Sequence, residues 1–158
     1  MEEIIIRHGA TEGIRNPSLA DVERALADIE SGRDERPEFS IEYVSDWREE
    51  WLDGRRVIRT TCEGPNVEVA RFYTDDGDSS GGWHVVFREG GESYSLAFDE
   101  RQDASFVEGI CCGGPLTLRE NCVVPAGRVL AAVEPFLSRR ERCPVSNWLP
   151  ASQSYQLG

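Results

Sequence analysis

The chain has 158 residues, 39% hydrophobic and 29% charged, with a formal net charge of −12 at pH 7. That length is enough for one domain with a real core. So much negative charge repels phosphate, which argues against nucleic acid or anionic membrane as a direct partner and makes a basic protein surface the natural complement.

All 17 basic residues are arginine, which codon composition explains as well as physics does. The five cysteines (Cys62, Cys111, Cys112, Cys122 and Cys143) include no C-x-x-C pair and fit neither a disulfide framework nor a zinc site. The opening Met-Glu-Glu-Ile-Ile-Ile has no basic stretch and no long apolar run, so no signal peptide is expected. No segment approaches the roughly 20 apolar residues of a membrane span. The expectation is a reduced, cytoplasmic, soluble domain.

Along the chain, Glu3–Arg7 is an Ile-rich run that predicts a buried strand, followed by a glycine-containing loop over Gly9–Gly13. Ser18 is placed to cap a helix over about 18–31, with Asp21 in its first turn and Leu19, Val22, Leu26 and Ile29 on its apolar face. Glu38–Ser45 alternates as a strand. Asp46–Asp53 reads as a helical turn or a loop. Arg55–Thr61, Val67–Thr74, Trp83–Glu89 and Ser93–Phe98 read as successive strands, with Asp75–Gly82 and Gly90-Gly91 as hairpin connections. Arg101–Cys122 gives no clear pattern beyond a turn at Gly113-Gly114-Pro115. A second helix over about 126–138 follows Pro125, with Val129, Leu130, Val133, Phe136 and Leu137 facing the core and Pro135 expected to kink or shorten it. Val145–Leu149 closes the fold as a strand. The fold class is α+β, a mainly antiparallel sheet with two packed helices: one domain over 1–150, then a frayed tail over 151–158.

Few residues suggest chemistry. Arg7-His8-Gly9-Ala10-Thr11 resembles the R-H-G-x-T start of the histidine phosphatase family, in which a strand end presents a nucleophilic His beside a phosphate-clamping Arg. A second His is needed, and the other one, His84, falls inside a predicted strand. A strand followed by a polar turn accounts for the same residues. Cys111-Cys112 reads as buried small hydrophobes beside a turn, and Asp75-Asp76-Gly77-Asp78 as an acidic hairpin tip lacking the later ligands of a calcium loop. No catalytic residue, metal site or cofactor is assigned.

What stands out is acid clustered with tryptophan. Between Glu30 and Asp53, nine acids outnumber Arg33, Arg36 and Arg48; between Asp75 and Glu108, another nine face only Arg88 and Arg101. Trp47, Trp51 and Trp83 lie in or beside these stretches. Aromatic anchors ringed by charge are how tight interfaces are built.

The stretch from about Pro17 to Pro150 resembles the first-numbered immunity-protein family of bacterial polymorphic toxin systems. The likeness rests on Val123-Val124-Pro125, on Val129 to Val133 with Phe136-Leu137, on Arg142-Cys143-Pro144 and on Val145-Ser146-Asn147-Trp148. The Ser18-to-Ile29 helix and the Gly64–Val69 strand look similar too. Cys143 in the R-x-P segment, Pro135 in the helix and the Arg7-His8-Gly9 segment depart from the pattern. The resemblance implies a non-catalytic antitoxin that binds its cognate toxin domain one-to-one; toxins paired with this family are often nucleic-acid deaminases. The expected toxin-binding residues are Glu49, Glu50, Trp51, Asp75, Asp76, Asp78, Trp83, Asp99, Glu100 and Asp103. The alternatives are a small phosphohydrolase using Arg7 and His8, and an acidic adaptor with a non-toxin partner.

Overall fold

Alternating apolar and polar residues commit most of the chain to strands, which pair antiparallel because short turns join them. The computed structural model describes residues 3–8, 13–32, 37–44, 46–61, 64–74 and 82–156. In order these form β1 (Glu3–His8), β2 (Gly13–Arg15), α1 (Leu19–Glu30), β3 (Glu38–Val44), β4 (Asp46–Leu52) and β5 (Arg55–Thr61). Then come β6 (Asn66–Tyr73), β7 (Gly82–Glu89), β8 (Glu92–Ala97), β9 (Phe106–Cys111) and β10 (Gly114–Arg119). A 3₁₀ turn (Glu120–Cys122), α2 (Ala126–Arg139), β11 (Asn147–Pro150) and α3 (Ala151–Ser154) complete the chain.

The main sheet runs β11-β8-β7-β6-β3-β1-β2, and β9 continues along β6 past the end of β3, carrying β10. The α+β class expected above is the observed one, and every ladder among the described residues is antiparallel.

The two helices cover one face of the sheet. Val67 and Val69 of β6 and Trp83, Val85 and Phe87 of β7 pack against Val22, Leu26 and Ile29 of α1 and Val129, Val133 and Phe136 of α2. Phe87 meets Phe136 edge to face at 6.0 Å, a favoured aromatic geometry. α1 begins where its sequence dictates. Ser18 Oγ accepts from the Asp21 N–H, and the Asp21 carboxylate accepts from the Ser18 N–H at 2.8 Å, a reciprocal capping box. On the opposite face the β9–β10 hairpin bends over a smaller apolar cluster of Phe72, Ala97, Leu118, Cys122 and Leu149.

Several expectations change. Asp46–Leu52 is a strand, not a helical turn: Asp53 and Gly54 both have positive φ (51° and 76°), the geometry of a two-residue hairpin turn, and return the chain as β5. The β4–β5 ribbon is a separate two-stranded sheet, so β5 does not join the main one. The unread Arg101–Cys122 region holds the β9–β10 hairpin, whose turn residues are Cys112 and Gly113 (φ 53° and 81°). α2 continues through Pro135 to Arg139 with Val133 and Phe136 buried on either side; core packing outweighs the lost N–H bond. The closing strand starts at Asn147, leaving Val145 90% exposed. The expected tail is docked as far as Gln156: Ser154 is fully buried, Tyr155 bridges to Leu118 and the Gln156 N–H donates to Thr117 O. The Asp75–Gly81 connection lies outside the described residues.

Candidate functional site

Of the described residues expected to bind a toxin, Trp83 does not reach the surface. Trp83 is wholly buried beneath the helices, its ring stacked by the Arg71 guanidinium at 5.2 Å, so it cannot anchor a partner at the surface. Its place in β7 puts it on the helix-facing side along with Val85 and Phe87. Asp75, Asp76 and Asp78 lie outside the described residues.

Asp99 is engaged within the fold. Its carboxylate accepts from Asn121 Nδ2 and from the Arg101 N–H and Nε, which together hold it below the usual carboxylate range, the Asn121 bond first. Glu100 and Asp103 in the same loop are exposed.

Glu49, Glu50 and Trp51 lie on the β4–β5 ribbon. The stretch is acidic only in one dimension. Folding brings β5 beside β4, so that Asp46, Glu49, Glu50 and Asp53 are matched by Arg48, Arg55, Arg56 and Arg59, four against four. Glu49 pairs with Arg56, and Glu50 with Arg59 at 2.6 Å. Such exposed pairs add little stability, but they order the ribbon's surface. At its tip Trp51 is 71% exposed and Leu52 45%. An indole left in water is unfavourable in isolation, which makes this tip the most conspicuous apolar contact feature among the described residues.

The phosphatase-like segment is held differently from the family it resembles. Arg7 and His8 end β1 between two antiparallel neighbours, with His8 in register with Phe39. His84 lies in β7, three strand spacings from β1 across the sheet, about 14 Å. The parallel sheet of that family is not the architecture here.

A cleft of about 540 Å³ opens on the sheet face away from the helices, beneath the β9–β10 hairpin. Its floor is made by alternate residues of β3, β6 and β7 (Glu38 and Ser40, Glu68 and Ala70, His84 and Val86), and Tyr155 and Leu116 wall it. Arg88 Nη1 stands 2.7 Å from Glu68 Oε2, close in charge though off the hydrogen-bond direction. Cys112 Sγ donates to Glu38 Oε2 at 2.7 Å.

The proton positions at His84 follow from counting. Ser154 Oγ donates to Ala151 O at 2.8 Å, so it accepts from Ser95 Oγ, 2.7 Å away. The single Ser95 proton is thereby used, and Ser95 accepts from His84 Nε2 at 3.3 Å. This order makes His84 the Nε2–H tautomer. A Ser–His pair ordered this way is not an activated nucleophile, since the histidine already carries the proton it would have to remove.

Burial holds the His84 pKa down to about 4 from 6.5, aided by the nearby Arg88 charge. A depressed histidine pKa means that the unfolded chain binds the extra proton first. Its contribution is therefore fully present above pH 6.5 and is lost as pH falls towards 4, in total about 3 kcal/mol. Urea midpoints measured at pH 7 and pH 4.5 should fall further for the wild type than for His84→Gln. Equal falls in the two proteins would refute the assignment.

Cys111, Cys112, Cys122 and Cys143 are free thiols. Cys111 is half-buried and Cys112 exposed, so they are not the buried pair expected; partial desolvation, with the Glu38 carboxylate adding to it, still pushes both thiols up and keeps the adjacent pair, 3.8 Å apart, protonated. Burial likewise pushes Cys122 up to about 12. Among the described residues no group of three or more His, Cys, Asp or Glu is placed to hold a metal ion. No helix among them is long and apolar enough to cross a membrane. Comparison with protein-family models, with curated proteins and with solved structures finds no match.

Proposed function

We propose that this protein is an immunity protein: it binds a basic toxin domain one-to-one and blocks it without turning over a substrate. The observation that carries the proposal is Trp51, 71% exposed beside Leu52 at the tip of a ribbon separate from the main sheet. A protruding indole with ordered ion pairs behind it is the chemistry of an interface anchor. The net charge of −12 steers a positively charged partner towards the protein and speeds encounter.

The proton order at Ser95 and His84, which leaves that serine unactivated, supports a binding role. The resemblance of the Val123–Trp148 segment to bacterial immunity proteins adds the partner class, a secreted toxin that acts on nucleic acid, as a deaminase does. A toxin that grips a polyanion carries a basic groove, and an acidic protein occluding that groove excludes the substrate.

The test is co-expression in bacteria with the toxin domain encoded beside this chain's gene. Restored growth and a co-purifying equimolar complex are the expected result. Continued toxicity with no complex would end the proposal.

A further inference from the structure

We infer that the outer edge of β4 is a strand-pairing site, and that its occupant is an extended basic segment of the protein partner. That the partner is a toxin domain rests on the function proposed above.

The turn decides which backbone groups are free. Asp53 and Gly54 both have positive φ, the mark of a type I′ turn, which makes Leu52 and Arg55 a hydrogen-bonded pair. Along an antiparallel ladder such pairs alternate with pairs that are not hydrogen-bonded. Glu50–Val57 and Arg48–Arg59 therefore bond inward, while Glu49–Ile58 and Trp51–Arg56 do not. The main-chain N–H and C=O groups of Glu49 and Trp51 point away from β5, and no backbone partner meets them among the described residues.

Elsewhere the sheet edges are blunted. β2 has three residues, and β11 has four and ends on Pro150. The free side of β10 is met at Leu118 by Tyr155 and at Thr117 by the Gln156 N–H. β4 and β5 keep seven residues each and belong to no larger sheet among the described residues. A two-stranded ribbon is marginally stable in water, and a third strand completes it. Trp51 and Leu52 are exposed on opposite faces of the ribbon, and a strand laid along the edge flanks both.

Charge selects between the two edges. β5 carries Arg55, Arg56 and Arg59 and no acid. β4 carries Asp46, Glu49 and Glu50 against Arg48. Arg15 lies close enough to act on the Glu49 charge, and the acids on this side still outnumber the arginines. A basic segment is repelled by β5 and accepted by β4. Its main chain bonds to Glu49 and Trp51, and a cationic side chain beside the indole adds a favourable contact.

The test compares amide hydrogen exchange of the ¹⁵N-labelled full chain, free and bound to the toxin domain encoded beside its gene. The Glu49 and Trp51 amides are expected to slow at least about tenfold on binding, with little change at Arg56 and Ile58. Glu49→Pro deletes the outward N–H and keeps the ladder to β5. It should bind about tenfold more weakly than Glu49→Gln, which retains that N–H. Ile58→Pro makes the same change on the other edge and should bind like the wild type. Circular dichroism checks folding, and where a proline variant does not fold the wild-type exchange decides alone. A complex in which Glu49 and Trp51 exchange as in the free chain, or in which only β5 slows, would overturn the inference and leave the immunity reading standing. Failure to form any complex would remove both.

Discussion

Replacing Trp83 by alanine is expected to cost about 3–5 kcal/mol of folding stability, the range for deleting a buried aromatic side chain. The ring is 0% exposed and belongs to the helix-side core with Val85 and Phe87, and Arg71 stacks over it. A domain this size has about 5–15 kcal/mol in all, so the variant stands near the edge of folding. Trp83→Phe should lose much less. It keeps most of the ring and removes Nε1, which is buried without a hydrogen-bond partner among the described residues and so carries a penalty of about 1–3 kcal/mol. Equilibrium urea unfolding measures both. Midpoints for Trp83→Ala and wild type that coincide would show the residue is not in the core.

Trp51→Ala should do the opposite. The side chain is 71% exposed, so its loss is expected to move stability by no more than about 0.5 kcal/mol. Binding should suffer instead. A central aromatic anchor typically contributes about 2 kcal/mol or more, a loss of roughly 30-fold in affinity for the toxin domain, read by calorimetry. Glu49→Gln and Glu50→Gln should matter less, because each carboxylate is already paired with an arginine across the ribbon. An unchanged affinity for Trp51→Ala would place the interface elsewhere on the molecule. The contrast between the two tryptophans is the useful outcome, because the acid-rich composition of the longer stretches they border does not tell them apart.

That contrast shows where reading the chain in one dimension stops working. Whether an aromatic residue anchors a partner or fills the core depends on which face of which strand it occupies. Trp83 shares the helix-facing side with Val85 and Phe87, an alternation visible in the sequence once β7 is accepted as a strand. The strand β5 is legible, but β4 is not, because Glu49-Glu50 and Trp51 alternate poorly and the acids up to Asp53 obscure the Asp53-Gly54 hairpin signal. Charge misleads in a similar way. A count that ends at Asp53 excludes Arg55, Arg56 and Arg59, which the turn brings back beside those acids.

The cleft was the least legible feature. Its lining comes from Glu38, Glu68, His84, Cys112 and Tyr155, spread over more than a hundred positions with no motif joining them. The one available signal was the small Ala70 between larger neighbours, and it means nothing until β3, β6 and β7 are in register.

The sequence by itself determined the class of the fold, the α1 capping box, the apolar face of α2 and the excess of negative charge. Each of these depends on residues within a few positions of one another, or on composition alone. Only the tertiary structure decided that Trp83 is core and Trp51 is surface, that the ribbon carries as many arginines as acids, and that a buried His84 lines a cleft. Those facts are set by strand register and by the docking of residues 151–156 onto the sheet. Both arise from contacts between segments far apart in the chain, which local propensity does not encode.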